Sequence, residues 1–373
     1  MRTITGFIKK ETVFFIAAVL ALASAVLVPP DGRYLEYVDY DVLILLFNLM
    51  LVVAGFQSIG FFAFLGEKLV ERVSHTRSLS MVLVFLCFFS SMLITNDVAL
   101  LTFVPFAILL LQMTGQEKRM IFVIVMQTIA ANLGSMVTPV GNPQNLYLYS
   151  LTGMGFFEFI KIMLFPAAAA FVLLFLIMAL APGEAVVMRQ AGEAKLRFGG
   201  KGWSYTVLFL CCMAAVAKVV PCLAVLAAVC AAVLLLDRKL FAKADYFLLA
   251  TFVCFFVFIG NMERIEAVRA ALESMIGGRE FLTAIAASQV ISNVPAAILL
   301  SGFTDHHRAL LLGTNLGGLG TLIASLASLI SYKFYVRIPG SAKGKYLLQF
   351  TAWNVFFLAV LSAAVWGLWG SGL

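Results

Sequence analysis

The apolar positions of this 373-residue chain come in long blocks, not in the period-two alternation of a half-buried strand. A helix needs about 20 apolar residues to cross the hydrocarbon core of a bilayer. Blocks at 12–29, 42–64, 156–181, 203–219, 222–236, 246–262 and 346–370 read as unbroken spans. The stretches 65–79 and 263–280 are amphipathic and are predicted to lie at the membrane interface. Four further apolar blocks are interrupted. Block 80–112 breaks at Thr95-Asn96-Asp97, and block 120–150 at Thr138-Pro139-Val140-Gly141-Asn142-Pro143-Gln144-Asn145. Block 281–303 breaks at Ser292-Asn293-Val294-Pro295, and block 309–331 around Thr321 to Ser328.

Composition decides what these blocks meet. The chain is 62% hydrophobic and 12% charged, where a soluble domain carries roughly 25% charged residues. So little charge cannot cover a water-soluble globule of this size. The blocks therefore meet lipid, and in lipid the backbone must satisfy itself within helices. The expected fold class is an all-α polytopic membrane protein with about nine spanning helices. Blocks 80–112 and 281–303 are expected to be re-entrant helical hairpins, and 120–150 and 309–331 broken helices.

The net charge of +7 reports orientation here, not an acidic partner, and no nucleic-acid role follows from it. With the N-terminus in the cytoplasm and the two hairpins re-entrant, seven of the 26 basic residues fall outside. They are Arg33, Lys161, Lys218, Arg264, Arg269, Arg279 and Arg308; the rest, Lys243 among them, fall on cytoplasmic pieces. Making either hairpin a full span would place the basic loops after it outside. The C-terminus is then external, and the chain is expected in the cell (inner) membrane. Arg2, Lys9 and Lys10 precede the first apolar run, and Ala23-Ser24-Ala25 resembles a cleavage site. The topology nevertheless requires this helix as its first span. The six cysteines lie inside apolar runs without CxxC spacing and read as packing residues.

The interrupted blocks match in order. Ile94-Thr95-Asn96 pairs with Ile291-Ser292-Asn293. Asn132-Leu133-Gly134 followed by Thr138 recurs as Asn315-Leu316-Gly317 followed by Thr321. The two halves enter the membrane in opposite directions. The expected organisation is a first repeat over 1–181, and a second completed by 237–373. Residues 182–236 between them hold a cytoplasmic loop, the connector span 203–219 and the first span of the second repeat. Inverted repeats with discontinuous helices are a common build of secondary transporters.

A broken helix exposes N–H and C=O groups that only a protein-lined, hydrated cavity tolerates. Half-helix N-termini favour an anion. Freed carbonyls with Asn, Ser and Thr oxygens suit a small hard cation. Thr95, Asn96, Asp97, Thr138, Asn142, Gln144, Asn145, Ser292, Asn293, Thr321, Ser325 and Ser328 supply such groups. Asp97 is the carboxylate at a deep break, and a charge there costs roughly 2.5–3.5 kcal/mol on the insertion scale. It can bind the coupling cation, H⁺ or Na⁺, or cap the following half-helix. Asn132 and Asn315, in the helices before the breaks, can pack or contact ligand. His306 and His307 read as solvated loop residues. No GxxxxGK[ST] loop, G-x-S-x-G elbow or HExxH pair is present, so neither ATP-driven transport by this chain alone nor an enzyme is expected, and no cofactor beyond the coupling ion.

Thr95-Asn96-Asp97-Val98-Ala99-Leu100-Leu101-Thr102-Phe103-Val104-Pro105 resembles the hairpin motif of the ion transporter superfamily. That group includes arsenite permeases, NhaD-type Na⁺/H⁺ antiporters and citrate/dicarboxylate permeases. Gly141-Asn142-Pro143-Gln144-Asn145 resembles its Gly-x-Pro-x-Asn break, and Ser292-Asn293-Val294-Pro295 its second tip. The resemblance covers about residues 35–370. It implies a scaffold and a mobile transport part, a homodimer, and a substrate held between the two tips and the two breaks. The dicarboxylate branch has Ser-Asn-Thr at both tips and a Pro-Pro-Asn-type break in both halves. This chain reads Ala324-Ser325-Leu326-Ala327-Ser328 at its second break and is closer to the arsenite and antiporter branches at its first tip.

The expected function is cation-coupled transport of a small anion, an organic acid or an inorganic oxyanion. The alternatives are arsenite or antimonite efflux, Na⁺/H⁺ exchange, and, from another class, an anion channel. Substrate is expected at Thr95, Asn96, Asn142, Gln144, Asn145, Ser292, Asn293, Thr321 and Ser325. The cation is expected at Asp97, Asn96, Thr138, Gly141 and Asn293, with Na⁺ at Asn96, Asp97 and Gly141. The acid and the Gly-Asn-Pro break both lie in the first half, so the stronger cation site is expected there.

Overall fold

The computed structural model describes residues 12–62, 64, 68, 75–184 and 199–370. Most of the expected interfacial stretch 65–79 and most of the loop before the connector lie outside the described residues. Among the described residues the chain forms sixteen α-helices and three short 3₁₀ turns, with no β-strand. Five segments are long and apolar enough to cross a membrane: Gly32–Ser58, Asn96–Met113, Phe156–Leu180, Tyr246–Glu263 and Lys343–Trp369. Large apolar side chains stand exposed along the outer helices, such as Val26, Leu180 and Leu235. That surface suits lipid, which charge this sparse cannot replace with water.

The first half begins with α1 (Thr12–Leu27) and α2 (Tyr40–Ser58). Asp39 starts α2 by accepting the Val42 N–H at 3.1 Å, a capping bond that satisfies one orphan donor. The first hairpin block becomes α3 (Thr76–Ser90) and α4 (Asn96–Met113), which pack on each other. The broken block becomes α5 (Met120–Ser135) and α6 (Pro143–Thr152), and α7 (Phe156–Leu180) closes the half. After α8 (Gly199–Val216), the second half runs through α9 (Cys222–Asp237), α10 (Tyr246–Glu263) and the amphipathic α11 (Glu266–Ile276). Asp245 caps α10 through the Leu248 N–H at 2.9 Å, as Asp39 caps α2. Then come the second hairpin, α12 (Glu280–Ile291) and α13 (Asn293–Ser301), and the second broken pair, α14 (His307–Gly317) and α15 (Leu326–Val336). The last helix is α16 (Lys343–Trp369).

Packing between the halves is reciprocal. Helix α1 lies on α10, and α9 lies on α2. Each hairpin packs on the broken helix of its own half: α3 and α4 on α5, α12 and α13 on α14. Each hairpin's second arm also reaches the other half, α4 touching α15 and α13 touching α6. Helices α7 and α16 pack together.

The recurrent Asn-Leu-Gly…Thr string explains part of this. A Cβ on Gly134 would collide with the Phe88 carbonyl of α3, and one on Gly317 with Ser288 of α12. Each glycine therefore lets a broken helix approach its hairpin arm closely. Each threonine then pins the break to that arm: Thr138 Oγ1 donates to the Met92 carbonyl, and Thr321 Oγ1 to the Gln289 carbonyl at 3.1 Å.

The breaks sit a few residues from their expected positions. The first spans 136–142, not 138–145, because Pro143 opens α6 instead of interrupting it. A proline lacks the N–H that the first turn leaves unpaired anyway. Gln144 and Asn145 are accordingly helical. The second break spans 318–325, so Ser328 belongs to α15. At the first tip the link is 91–95, while Ser292 alone separates α12 from α13.

Candidate functional site

Both hairpin tips are closed by the same bonds. Asn96 donates its N–H to the Gly141 carbonyl at 3.1 Å, and Asn293 donates to the Ala324 carbonyl at 3.0 Å. Asn96 Oδ1 accepts the Asp97 N–H at 2.9 Å, and Asn293 Oδ1 accepts the Val294 N–H at 3.0 Å. Each tip asparagine, the first residue of its helix, thus ties its hairpin to the break of its own half and holds the next N–H of the first turn. Gly141 has no room for a side chain, since a Cβ would overlap the Ser135 carbonyl.

The pre-break asparagines join the two halves. Asn132 Oδ1 accepts from Asn96 Nδ2 at 2.9 Å and from Ser325 Oγ at 3.1 Å. Asn315 Oδ1 accepts from Asn142 Nδ2 at 3.1 Å, and Asn315 Nδ2 donates to Asn145 Oδ1 at 2.6 Å. Asn142 and Ser325 are the N-cap residues of α6 and α15. In each half, then, the pre-break asparagine accepts from the cap of the other half's post-break helix. All of these side chains are buried, so each bond replaces one that water cannot supply.

Four helix N-termini meet at the centre. Asn96 and Asp97 of α4, Pro143 and Gln144 of α6, Asn293 and Val294 of α13, and Leu326 of α15 with its cap Ser325 border one narrow space of about 10 Å³, with Leu248. That is the room about one water needs. Gln144 is 1% exposed, and its side-chain amide has no partner among the described residues. A wider cavity of about 230 Å³ adjoins it, lined by α2 from Leu46 to Gln57, by Thr95, Asp97, Asn142 and Pro143, and by Lys243 and Asp245. Asp97 borders both spaces. Its carboxylate takes no hydrogen bond or ion pair among the described residues, while its N–H is held by Asn96 Oδ1.

The sequence-derived residues divide accordingly. Asn96, Asp97, Gln144, Asn293 and Ser325 surround the narrow space, and Thr95 and Asn142 line the wider cavity. Asn145 is turned inward, donating to the carbonyls of Ser135, Met136 and Thr138 and accepting from Asn315. Ser292 donates to the Ala324 carbonyl at 3.4 Å from a backbone at φ +75°, a region L-residues rarely occupy. Thr138 and Thr321 bond the hairpin arms and border neither space, and Thr321 is exposed. Ser328 is fully buried in α15 with no partner for its hydroxyl among the described residues.

Three residues escaped the sequence reading. Gln289 braces the second break, donating to the carbonyls of Gly317 and Leu319 at 2.8 and 2.9 Å and accepting the Thr321 N–H at 2.8 Å. Its one signal was an amide inside an apolar run just before a tip. Lys243 read only as one of the cytoplasmic basic residues and Asp245 was not singled out; both line the wider cavity with Asp97.

Comparison with known proteins gives the family. The family model described as CitMHS, Citrate transporter, matches residues 3–307. Inner membrane protein YbiR of Escherichia coli is 34% identical over 304 residues, covering 79% of this chain and 80% of the relative. Uncharacterized transporter MJ0456 of Methanocaldococcus jannaschii is 31% identical over 303 residues, 79% of this chain and 81% of the relative. Silicon efflux transporter LSI3 of Oryza sativa subsp. japonica is 30% identical over 145 residues, 39% of this chain and 29% of the relative. An all-helical chain with lipid-facing helices, matched over most of its length by a transporter family, is a membrane transporter and not an enzyme: it belongs to the CitMHS citrate-transporter family.

Proposed function

We propose that this protein is a secondary carrier that moves a small anion across the cell membrane, coupled to H⁺ or Na⁺. The observation that carries this reading is the convergence of four helix N-termini on one narrow space. Each terminus carries roughly half a positive charge, and the buried Gln144 amide beside them has no partner among the described residues. Such a centre favours a carboxylate or oxyanion. Asn96, Asn293, Gln144 and Ser325 contact it, with Thr95 and Asn142 at its approach. Asp97, at the edge of both spaces and unpaired, takes the coupling cation. Gly141, whose carbonyl already holds the Asn96 N–H, backs that position.

A cargo the size of citrate does not fit the narrow space, so transport needs the two tips to part from the breaks. In this reading the chain crosses the membrane about nine times. The α3–α4 and α12–α13 hairpins are re-entrant, the N-terminus is cytoplasmic and the C-terminus external. The protein works as a homodimer.

Proteoliposomes test this. Uptake of radiolabelled citrate, malate, phosphate and arsenite is measured under imposed Na⁺ or pH gradients. Gradient-driven uptake of at least one anion is expected for the native chain. Asp97→Asn should lose gradient-driven uptake, and Asn293→Ala should lose uptake altogether. Full uptake by both variants would sink the site assignment. Uptake of arsenite alone would move the assignment to an oxyacid efflux carrier.

A further inference from the structure

The wider cavity carries a charge pattern that the basic-loop reading of Lys243 leaves unused. Its lining has three charged residues: Asp97, Asp245 and Lys243. Without the lysine the cavity would hold two carboxylates and repel any anion approaching the four helix N-termini. We propose that Lys243 is the specificity-determining cation of this transporter, the group that pairs with the negative end of the cargo in the wider cavity and selects an anion over an uncharged oxyacid. This rests on the anion-carrier reading above.

The backbone places the lysine there. The 3₁₀ turn Arg238–Lys243 starts at Asp237, which accepts the Lys239 N–H at 3.1 Å. Leu240 is fully buried, and the Phe241 ring lies 6.3 Å from that of Phe47 in α2. The turn is therefore held against the middle of α2, not left in a free loop. Ala244 is buried and Asp245 begins α10. Of the three basic residues on this turn, Arg238, Lys239 and Lys243, the last alone lines the cavity.

The ammonium is also available. Among the described residues it makes no ion pair, either with Asp97 or with Asp245. The residue is exposed and lines the cavity. Opposite charges in contact at a protein surface attract where a neutral group is not attracted. That difference discriminates an anion from a neutral molecule of the same shape. Thr95 and Asn142 on the opposite wall add neutral hydrogen-bonding groups.

A different role for the same residue is membrane anchoring, in which a lysine only holds its loop at the headgroups. The test separates the two. Binding of citrate, malate, phosphate and arsenous acid to the purified full chain is measured by thermal shift, at neutral pH and at low and high KCl. The native chain, Lys243→Gln and Lys243→Arg are compared. Lys243→Gln is expected to weaken binding of the anions at least tenfold while leaving arsenous acid, uncharged at this pH, within twofold. Lys243→Arg should stay within threefold of native for all. Anion affinity of the native chain should fall with KCl, and that of Lys243→Gln should not. Native anion affinity in Lys243→Gln, or an equal loss for anions and arsenous acid, would overturn the proposal. If the native chain bound none of the three anions, the anion-carrier reading would fall first and the lysine's role with it.

Discussion

At the residue scale, the first tip separates two tasks that its sequence left merged. Thr95-Asn96-Asp97 could have used Asp97 as the helix cap. The N-cap position is Thr95, and the side chain that bonds the first turn is that of Asn96: its Oδ1 holds the Asp97 N–H at 2.9 Å and its amide reaches Asn132. Asp97 is left with an uncommitted carboxylate facing two cavities. A carboxylate with no partner in a low-dielectric site opposes folding, whereas losing a buried hydrogen bond costs about 1 kcal/mol. Thermal unfolding in detergent should therefore show opposite signs for the two neighbours. Asn96→Ala should lower Tm, and Asp97→Asn should leave it unchanged or raise it. A lower Tm for Asp97→Asn would mean that the carboxylate makes a structural bond.

At the element scale, the interrupted helices were legible because their polar residues stood out in apolar blocks. Their boundaries were less so. Pro143 read as a breaker, yet Pro at the first helical position is compatible with the helix and only context tells the two apart. Thr138 and Thr321 were visible as a repeat, but a repeat does not say which partner each hydroxyl finds. Both turn to a hairpin carbonyl. Ser292 at φ +75° gave no signal, since glycine is the residue that marks such backbone. The bonds of Asn132 and Asn315 to the other half's caps depend on contacts between segments 173 to 193 residues apart, which no local pattern encodes. Their worth can be measured. Interhelical hydrogen bonds in membrane proteins couple by about 0.6 kcal/mol on average. A double-mutant cycle of Asn142→Ala and Asn315→Ala should give a coupling of that order, as should Ser325→Ala with Asn132→Ala. Strict additivity in both cycles would mean that the halves are held together by packing alone.

At the scale of the whole molecule, the two ends of α2 open on different cavities. Leu46 to Gln57 line the wider cavity with Lys243, while Asp41 and Leu45 line another of about 430 Å³ with Lys218, Tyr149, Ser150 and Cys222. Helix α6 divides in the same way, Leu146 facing the first cavity and Tyr149 the second. Leu45, Leu46 and Leu146, on the two helices between them, are buried, and the carrier reading proposed above needs such a barrier. The charge count of the loops predicts Lys243 on the cytoplasmic face and Lys218 on the outer face. Single cysteines at these positions, in a chain whose six native cysteines are replaced by Ser or Ala, decide it. Lys243→Cys should react with a membrane-impermeant maleimide in inside-out vesicles, and Lys218→Cys in right-side-out vesicles. Labelling of both from one face would break the opposite threading of the two halves. Labelling of Lys243→Cys from the outer face would invert the orientation and leave the reciprocal packing intact, since that packing depends on which helices touch and not on which side of the membrane they face.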